Sequence, residues 1–376
     1  MDVELTDEQR MLQTSAREFL TRACPMSLVR ESMDDPAPAC GLLWPTIAEL
    51  GWLGLVLPAV HGGSELGLVE LVLVLQEAGR ALLPAPFFST VALGAHAIAL
   101  GGDESQRSRF LPDVAAGKLR VTLANLEESA RWDEAGIQLP ATSRGGDYVL
   151  DGAKRFVMDA ALADWLVVPA RTAAGVGLFL VAATAPGVTI RQLAFVDQVR
   201  KVYVVELRDV RIPANAVLGP IGAGWPILET LFDFAKVALC GEMCGAAERV
   251  LEMAADYAKV REQFGKPIGS FQAIQHKCAE MLVLIESAKS ATYYAAWAIA
   301  NGEPDAHTAA CLAKAYTSEA FTKVAGEGIQ VHGGIGFTWE QDLHLYFKRA
   351  KSSELSFGTP SWNRELAARV LLDGRG

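Results

Sequence analysis

The order in which residue patterns change along the chain restricts its fold more than any single motif does. Apolar residues at helical spacing fill the first third of the sequence. Short runs rich in β-branched and aromatic residues follow between residues 121 and 210, and long helical segments occupy the rest. Helical segments do not alternate with the central runs, which argues against repeated β-α-β units. The sequence therefore predicts an α+β fold: helices, then an antiparallel sheet or small barrel, then a four-helix bundle.

These pattern changes divide the chain into three predicted domains: an N-terminal helical domain over residues 1–118, a middle β domain over 119–220 and a C-terminal helical bundle over 221–376. In the first domain, helices are expected over residues 4–20 and 66–83. Asp103, with Gln106 three residues later, is typical of a helix N-cap, so another helix should run to about Ala116. The expected strands are residues 121–126, 148–158, 165–171, 177–183, 188–193 and 201–210, and the expected bundle helices are 225–263, 271–300 and 305–326.

Composition excludes several classes of protein. Hydrophobic residues make up 51% of the 376 residues, which is enough for a large core and excludes a disordered or fibrous chain. The net charge of −10 argues against general nucleic-acid binding. No apolar run approaches the roughly 18 residues of a spanning helix, and the acidic residues 1–4 do not resemble a secretory signal. A cytoplasmic protein without membrane insertion is therefore expected.

Cysteines and histidines do not form a metal-binding pattern. The six histidines are separated from one another, and no Cys-x-x-Cys pair occurs. The six cysteines are Cys24, Cys40, Cys240, Cys244, Cys278 and Cys311. Since most of them lie in apolar helical surroundings, reduced core thiols are expected, and no metal.

Two segments suit a phosphate-containing ligand. In the first, a helix is expected to end near Phe264, Gly265 and Pro267 turn the chain, and a new helix begins near Ser270. This turn would bring Arg261 close to the N–H groups of a helix start, a combination that binds phosphate. In the second segment, over residues 330–338, two consecutive glycines allow close approach of the backbone to a ligand. From the residues alone, a helix–turn–helix with surface charge remains the alternative.

The same segments resemble the acyl-CoA dehydrogenase family, and the resemblance covers nearly the whole chain. It is carried by "RxQFGxPI…FQ" from Arg261, by "QVHGGIGF" from Gln330, by Leu50-Gly51-Trp52-Leu53-Gly54, and by Arg211-Ile212-Pro213 through Leu218-Gly219. It implies FAD, an acyl-CoA substrate, and a carboxylate that removes the α-proton while the β-hydrogen leaves as hydride to the flavin. It also implies a dimer of dimers, with electron-transfer flavoprotein as the acceptor.

In the family, two subunits share each FAD site, and the two halves differ in this sequence. The half lent to a neighbour is intact, and consists of Arg261, Gln263, Phe264, Gln272, Gln330, Gly333 and Gly334. In the flavin-ring half, the family's usual Trp-Ile-Thr reads Phe156-Val157-Met158, so the hydroxyl donor is absent. The family's glycine-containing loop corresponds to residues 125–132, which contain no glycine.

The catalytic carboxylate that the resemblance requires is missing. The usual glutamate position is Phe357, before Gly358-Thr359, and the alternative position is Ala235. Glu242, Glu354 and Asp233 are substitute candidates, each with a structural or solvated role as the alternative. Of these, Glu242 is expected to be buried with few polar neighbours and to have a raised pKa.

Four functions remain open at this stage. The first is a non-catalytic subunit of a hetero-oligomeric acyl-CoA dehydrogenase, as in some bacterial enzymes for steroid side chains. The second is a self-sufficient homotetramer that uses a displaced carboxylate. The others are a family member that binds acyl-CoA without redox chemistry, and a flavin oxidase that acts on another substrate.

Overall fold

The computed structural model describes residues 5–373, so the acidic residues 1–4, which bear on the signal-peptide prediction, lie outside the described residues. The N-terminal part is helical, with α1 (Asp7–Ala23), α2 (Met26–Glu31), α3 (Ala37–Glu49), α4 (Leu68–Arg80), α5 (His96–Gly101) and α6 (Glu104–Ala115). A π-helical turn over Ser89–Ala95 leads directly into α5. The three helices predicted in this region are present, with ends shifted by a few residues.

Local capping explains where α6 begins. The Asp103 carboxylate accepts a hydrogen bond from the Gln106 backbone at 2.8 Å, and the Gln106 side chain accepts one from the Asp103 backbone at 2.9 Å. This capping box satisfies two N–H groups at the start of the helix, so the predicted N-cap is confirmed. The Gln106 amide also donates to the carbonyls of Asn215 and Val217, which ties α6 to the end of the β domain.

The central part consists of two four-stranded sheets. Its strands are β1 (Val121–Leu123), β2 (Ala141–Arg144), β3 (Asp147–Met158), β4 (Trp165–Thr172), β5 (Gly175–Ala182), β6 (Val188–Gln192), β7 (Val202–Ile212) and β8 (Val217–Leu218). The strand orders are β1-β4-β5-β8 and β2-β3-β7-β6. Neighbouring strands are antiparallel, as predicted, except that β1 and β4 pair in parallel. The parallel pair arises because the chain builds β2 and β3 in the other sheet before it returns beside β1.

Two strands of the β domain, β8 and β2, have no counterpart among the sequence predictions, and β2 shows the reason. Only its first residue, Ala141, is buried, and the following three are exposed. The strand therefore lacks the alternation of apolar and polar residues that a half-buried strand shows. Its pairing with β3, from Ala141 opposite Leu150 to Arg144 opposite Asp147, holds it in the sheet.

The C-terminal part is a helical bundle. It contains α7 (Gly224–Val260), a short hairpin of β9 (Glu262–Gln263) and β10 (Lys266–Pro267), α8 (Gln272–Asn301), α9 (Ala306–His332), α10 (Leu343–Leu355) and α11 (Pro360–Asp373). Pro226 lies in the first turn of α7, where a missing N–H leaves no hydrogen bond unmade. The predicted end of the third bundle helix at Gly326 is too early. Gly328 packs closely against the Val250 side chain, and α9 continues to His332.

Helices α4 and α7 cross with their backbones in contact. A Cβ atom at Gly79 would lie 1.9 Å from the Glu242 carbonyl oxygen, and one at Gly245 would lie 1.8 Å from the Gln76 carbonyl oxygen. Glycine is therefore required at both positions for the helices to approach this closely. The crossing joins the N-terminal helices to the bundle through one continuous apolar core. Within the described part of the chain, no helix has the length and apolar character needed to cross a membrane.

Candidate functional site

An apolar cavity of about 280 Å³ lies between the β domain and the bundle. It is lined by Leu93, Leu123, Asn125, Leu126, Ala130, Trp132, Arg155, Phe156, Met158, Phe195, Val202, Ser352, Leu355, Ser356, Phe357, Gly358 and Thr359. None of these described lining residues is a carboxylate. The cavity therefore contains no side chain of the type that would remove a substrate proton in the family's reaction.

Phe357, at the family's usual glutamate position, forms part of the cavity wall. It is only 2% exposed, and its ring packs against Phe88, Trp132 and Phe232 with centroid distances of 6.1, 4.9 and 6.1 Å. Its φ of +57° is rare for a residue with a side chain. This position carries a buried aromatic group in a rigid cluster.

The backbone that carries Phe357 is held by two polar side chains from the bundle. The Asn363 amide donates to the carbonyls of Phe357, Gly358 and Thr359, each at 3.1 Å. The Lys314 ammonium donates to the carbonyls of Glu354 at 3.2 Å and Gly358 at 3.4 Å. Because Lys314 is fully buried, desolvation lowers its pKa to about 8.

The two flavin-ring positions, Phe156 and Met158, line the same cavity. Phe156 is half-exposed at the cavity mouth with a φ of +53°, and Met158 offers a thioether without a hydrogen to donate. Asn125 is one of the polar residues in this mostly apolar wall. Its side-chain oxygen is buried and has no hydrogen-bond partner within the described residues. The wall thus includes an unsatisfied acceptor.

The loop over residues 125–132 turns its carboxylates away from the cavity. Glu127 accepts a hydrogen bond from the buried Lys154 ammonium at 2.7 Å and also bonds the backbone of Gln138. Glu128 pairs with Arg155 toward the surface. The last residue of the loop, Trp132, lies where a second cavity begins, and its side chain lines both cavities.

Glu242 is buried as expected, but the expectation of few polar neighbours is wrong. Its carboxylate accepts hydrogen bonds from the guanidinium groups of Arg200 and Arg349, and Arg349 also pairs with buried Asp197. Burial raises the pKa of Glu242, but the two guanidinium groups outweigh burial and hold the pKa below its usual value. The expectation of a raised pKa is therefore wrong as well. Glu242 is a member of a buried ion network and does not line the 280 Å³ cavity.

The other two candidate carboxylates are also committed to partners. Glu354 pairs with Lys351 and accepts a hydrogen bond from the Thr322 hydroxyl, both at 2.7 Å. Burial raises its pKa, but these two hydrogen bonds outweigh burial and lower it. Asp233 lies at the second cavity, where it pairs with Lys236 at 3.1 Å and with His307 at 2.7 Å. Ala235 is buried in α7 and offers no acceptor.

The second cavity, of about 350 Å³, is both aromatic and charged. Its lining residues are Trp132, Asp133, Glu134, Ala135, Trp225, Glu229, Phe232, Asp233, Lys236, His307, Phe357, Trp362, Leu366 and Arg369. Trp132 and Phe357 therefore separate it from the first cavity. His307 and Cys311, four residues apart on α9, reach Asp233 and Lys236 on α7. Sequence reasoning missed this cluster. The four-residue spacing of His307 and Cys311 was its only local signal.

The residues of the predicted dinucleotide-binding half are exposed around the α7–α8 turn. Arg261, Gln263, Phe264 and Gln272 all lie on the surface. Among the described residues, no carboxylate lies within ion-pair distance of the Arg261 guanidinium. The β9–β10 hairpin has Phe264 and Gly265 at its tip, both with positive φ, and the Phe264 side chain is 93% exposed.

The double glycine lies close to this turn. The rings of Tyr257, in the last turn of α7, and His332, at the end of α9, stack with centroids 4.3 Å apart. Gly333 follows directly with φ +63° and ψ −139°, a conformation that essentially only glycine adopts. A Cβ at Gly333 or Gly334 would meet nothing within 4 Å, and Gln330 is exposed nearby. The structure thus brings the two predicted phosphate-binding segments to one surface of the bundle.

The helical–β–helical order agrees with the three-domain organisation of one oxidoreductase family. Family models for the acyl-CoA dehydrogenase N-terminal, middle and C-terminal domains match residues 6–118, 123–207 and 222–372. The chain belongs to the acyl-CoA dehydrogenase family.

Individual relatives cover the chain from end to end. The probable acyl-CoA dehydrogenase YngJ of Bacillus subtilis is 31% identical over 99% of this chain and 100% of its own length. A chain of the ChsE4–ChsE5 complex from Mycobacterium tuberculosis has a TM-score of 0.89 and 28% identity, with 100% of both chains covered. A chain of a variant of the Tcur3481–Tcur3483 steroid acyl-CoA dehydrogenase has a TM-score of 0.87 and 31% identity, with 98% of both chains covered.

Proposed function

We propose that this chain is the non-catalytic subunit of a heteromeric FAD-dependent acyl-CoA dehydrogenase. It lends its dinucleotide-binding surface to a partner chain, whose own active site forms the α,β-unsaturated acyl-CoA. The observation that carries this proposal is a contrast within one molecule. The surface around Arg261 and Gly333 is intact and exposed, whereas the cavity beside Phe357 has no carboxylate in its wall.

The missing base is the chemical argument against independent catalysis. A positioned general base typically contributes about 10²- to 10⁴-fold to the rate. Glu242 and Glu354 are held by cationic partners with lowered pKa values, and neither lines the cavity. A self-sufficient homotetramer with a displaced carboxylate is therefore the weaker alternative.

The residues of this chain suit the diphosphate of FAD better than they suit its flavin ring. Members of the family are FAD flavoproteins. The diphosphate would be held by Arg261 and by the backbone at Gly333 and Gly334, where nothing within 4 Å blocks a ligand. Gln263, Phe264, Gln272 and Gln330 would complete this surface. When bound, the flavin supplies the hydride acceptor of the reaction.

The ring half of this chain offers less to the same cofactor. Asn125 provides one unsatisfied acceptor, but Met158 provides no donor and the loop that ends at Trp132 has no glycine. Trp132 and Phe357 also pack against each other and form a wall. In the family's arrangement, the acyl thioester would approach the flavin at this place. We therefore expect the ring to reside in the partner chain.

The exposed apolar side chains around the surface support a partner there. Phe264 and Phe337 are 93% and 76% exposed, although both are large and aromatic. Both belong to the two segments that the Tyr257–His332 stack holds at one surface, and exposed apolar groups on one surface mark interaction sites in soluble proteins. One of the similar structures is a complex of two proteins, ChsE4 and ChsE5, which agrees with an assembly of two kinds of chain. The proposed assembly is a dimer of dimers that oxidises fatty or steroid side-chain acyl-CoA and passes electrons to electron-transfer flavoprotein.

Co-expression tests the proposal. The chain is produced alone and together with an acyl-CoA dehydrogenase-like chain from the same genome. Bound FAD is then measured from the absorbance spectrum, and turnover is followed with an artificial electron acceptor. We expect the chain alone to be colourless and inactive, and the co-purified assembly to hold FAD and turn over acyl-CoA. A yellow, active homo-oligomer of this chain alone would refute the proposal.

A variant of the assembly locates the contribution of this chain. Arg261→Gln removes the guanidinium and should lower FAD retention by the assembly about tenfold or more, since a charge-assisted hydrogen bond contributes roughly 1.5–3 kcal/mol. Arg364→Gln is the matched control, because this exposed arginine pairs with Glu319 at the surface. Equal FAD retention in the two variants would show that Arg261 does not contact the cofactor.

A further inference from the structure

Four side chains on two helices meet beside the second cavity. The Lys236 ammonium lies 3.3 Å from the Cys311 sulfur and 3.1 Å from an Asp233 carboxylate oxygen. The other carboxylate oxygen of Asp233 lies 2.7 Å from Nδ1 of His307, and Nε2 of His307 lies 3.8 Å from the same sulfur. The cluster thus joins α7 to α9 through a direct contact between a nitrogen and a sulfur.

These groups do not form a metal site. Asp233, His307 and Cys311 place donor atoms within 4.8 Å of one another, which is close enough for a metal ion. The Lys236 ammonium, however, bridges Asp233 and Cys311 and supplies the positive charge that a metal would bring. The carboxylate also bonds the imidazole on the side opposite Cys311. The arrangement is therefore an amine and a thiol held together by a carboxylate and an imidazole.

We infer that Lys236 and Cys311 form a reversible oxidative cross-link, a sulfur–nitrogen bond, when the protein meets hydrogen peroxide. In the first step the Cys311 sulfur attacks one peroxide oxygen and the O–O bond breaks. Cys311 becomes a sulfenic acid, and the hydroxide that leaves combines with the thiol proton to form water. Sulfur is oxidised by two electrons, and peroxide is reduced.

In the second step, the neutral amine of Lys236 attacks the sulfenic sulfur. The S–N bond forms, the S–O bond breaks, and the hydroxyl leaves as water with a proton from the nitrogen. Sulfenic acids condense with nitrogen in this way, and with thiols. The ammonium must first lose a proton to water in the cavity, and this loss becomes easier as the pH rises, because burial lowers the pKa of Lys236 but Asp233, at 3.1 Å, and Cys311 outweigh burial and raise it. A thiol reductant reverses the link by attack on the sulfur.

Burial decides which reagent can reach this pair. Cys311 is fully buried and Lys236 is 4% exposed, so bulky electrophiles are excluded. Cys311 itself does not line the 350 Å³ cavity, but Lys236 and His307, which both contact its sulfur, do, so these two side chains separate peroxide in the cavity from the sulfur. The resulting link would join α7 to α9 and fix the cavity wall in one position. It does not depend on the proposed function.

The other buried cysteines lack this arrangement. Burial raises the pKa of Cys24, Cys240 and Cys244 to about 12, which keeps them as unreactive thiols. The Cys244 sulfur lies 3.6 Å from the Thr292 hydroxyl, a neutral group. Cys244 is therefore the matched control for a buried thiol on α7 without an ammonium in contact.

Mass spectrometry of the full-length protein tests the inference. The protein is treated with a modest excess of hydrogen peroxide, alkylated under denaturing conditions without reductant, and digested. We expect a cross-linked pair of peptides that contain Lys236 and Cys311, lighter by two hydrogen atoms than the sum of the separate peptides, and released by dithiothreitol. Recovery of alkylated Cys311, or of its sulfinic acid beside an unmodified Lys236, would overturn the inference.

Variants separate the chemistry from general oxidation. Cys311→Ser and Lys236→Met should each abolish the linked pair, and Cys244→Ser should keep it. Lys236→Arg provides a second test if the methionine variant does not fold, because a guanidinium keeps the charge but is not a free amine at neutral pH. Persistence of the same cross-link mass in Lys236→Arg would assign the link to another nitrogen and overturn the inference.

Discussion

At the scale of single residues, surroundings decide what a carboxylate can do. Glu242 has the burial that would make a carboxyl group basic, yet two guanidinium groups reverse the direction of its pKa shift. Asp159 shows the opposite balance. It is buried near the same network, and burial raises its pKa although Ser89 donates a hydrogen bond to it. Burial alone therefore does not identify a catalytic base, because the charged neighbours carry equal weight.

His307 provides a pH-dependent prediction at this scale. Its pKa is raised from 6.5 to about 10, first by the hydrogen bond to Asp233 and then by the contact with Cys311. The folded chain therefore binds this proton more tightly than the unfolded chain does. The resulting stability is fully present below pH 6.5 and is lost as the pH rises through 10.

The variant His307→Gln should remove this contribution. The melting temperature of the parent protein should exceed that of the variant at pH 6, and the difference should shrink towards pH 10. Lys236 and Arg369, which face the same space, remain in both proteins, so the difference isolates His307. His344→Gln is the control, since burial lowers the pKa of that imidazole. A difference that is constant with pH would contradict the prediction.

At the scale of helices and strands, local signals were readable and distant partners were not. The Asp103–Gln106 capping box spans three residues, so its type and place followed from the sequence. The partners of Glu242, by contrast, lie 42 and 107 positions away, at Arg200 and Arg349. Periodicity cannot reveal contacts that only the assembled helices create. The order of helices and strands was predicted because it depends on local patterns. The cluster at His307 was missed because its residues come from two helices far apart in the sequence.

The crossing of α4 and α7 yields a prediction for Gly245, which can be compared with Gly41, a glycine outside the crossing. Gly245→Ala would place a Cβ 1.8 Å from the Gln76 carbonyl oxygen, so the helices must separate. We expect a destabilisation of about 1–3 kcal/mol or more, as for other overpacked cores. Gly41→Ala, in α3, meets nothing within 4 Å and should stabilise the chain by roughly 0.5–1 kcal/mol. Urea unfolding of both variants measures the two free energies, and a loss of stability in Gly41→Ala alone would contradict this account.

At the scale of the whole molecule, well-packed apolar cores contrast with a cavity that has no carboxylate among its described lining residues. The α4–α7 crossing belongs to one large buried apolar cluster, and the β domain contains a second one. The cavity beside Phe357 lacks a base, and the surface around Arg261 is exposed. This combination is what the proposed role as a subunit of an assembly requires.

If the partner chain binds the surface around Arg261, a charged side chain introduced there should weaken the assembly. Phe264→Asp replaces a side chain that is 93% exposed. The free energy of unfolding of the isolated chain should therefore change by no more than about 0.5 kcal/mol. In the assembly the same change places a charge in an apolar contact, which should weaken association and release FAD. Val60→Asp, at a residue that is 83% exposed on the N-terminal domain, is the matched control and should leave the assembly intact. Native mass spectrometry of the co-purified chains distinguishes the outcomes, and an unchanged assembly in Phe264→Asp would place the partner on another surface.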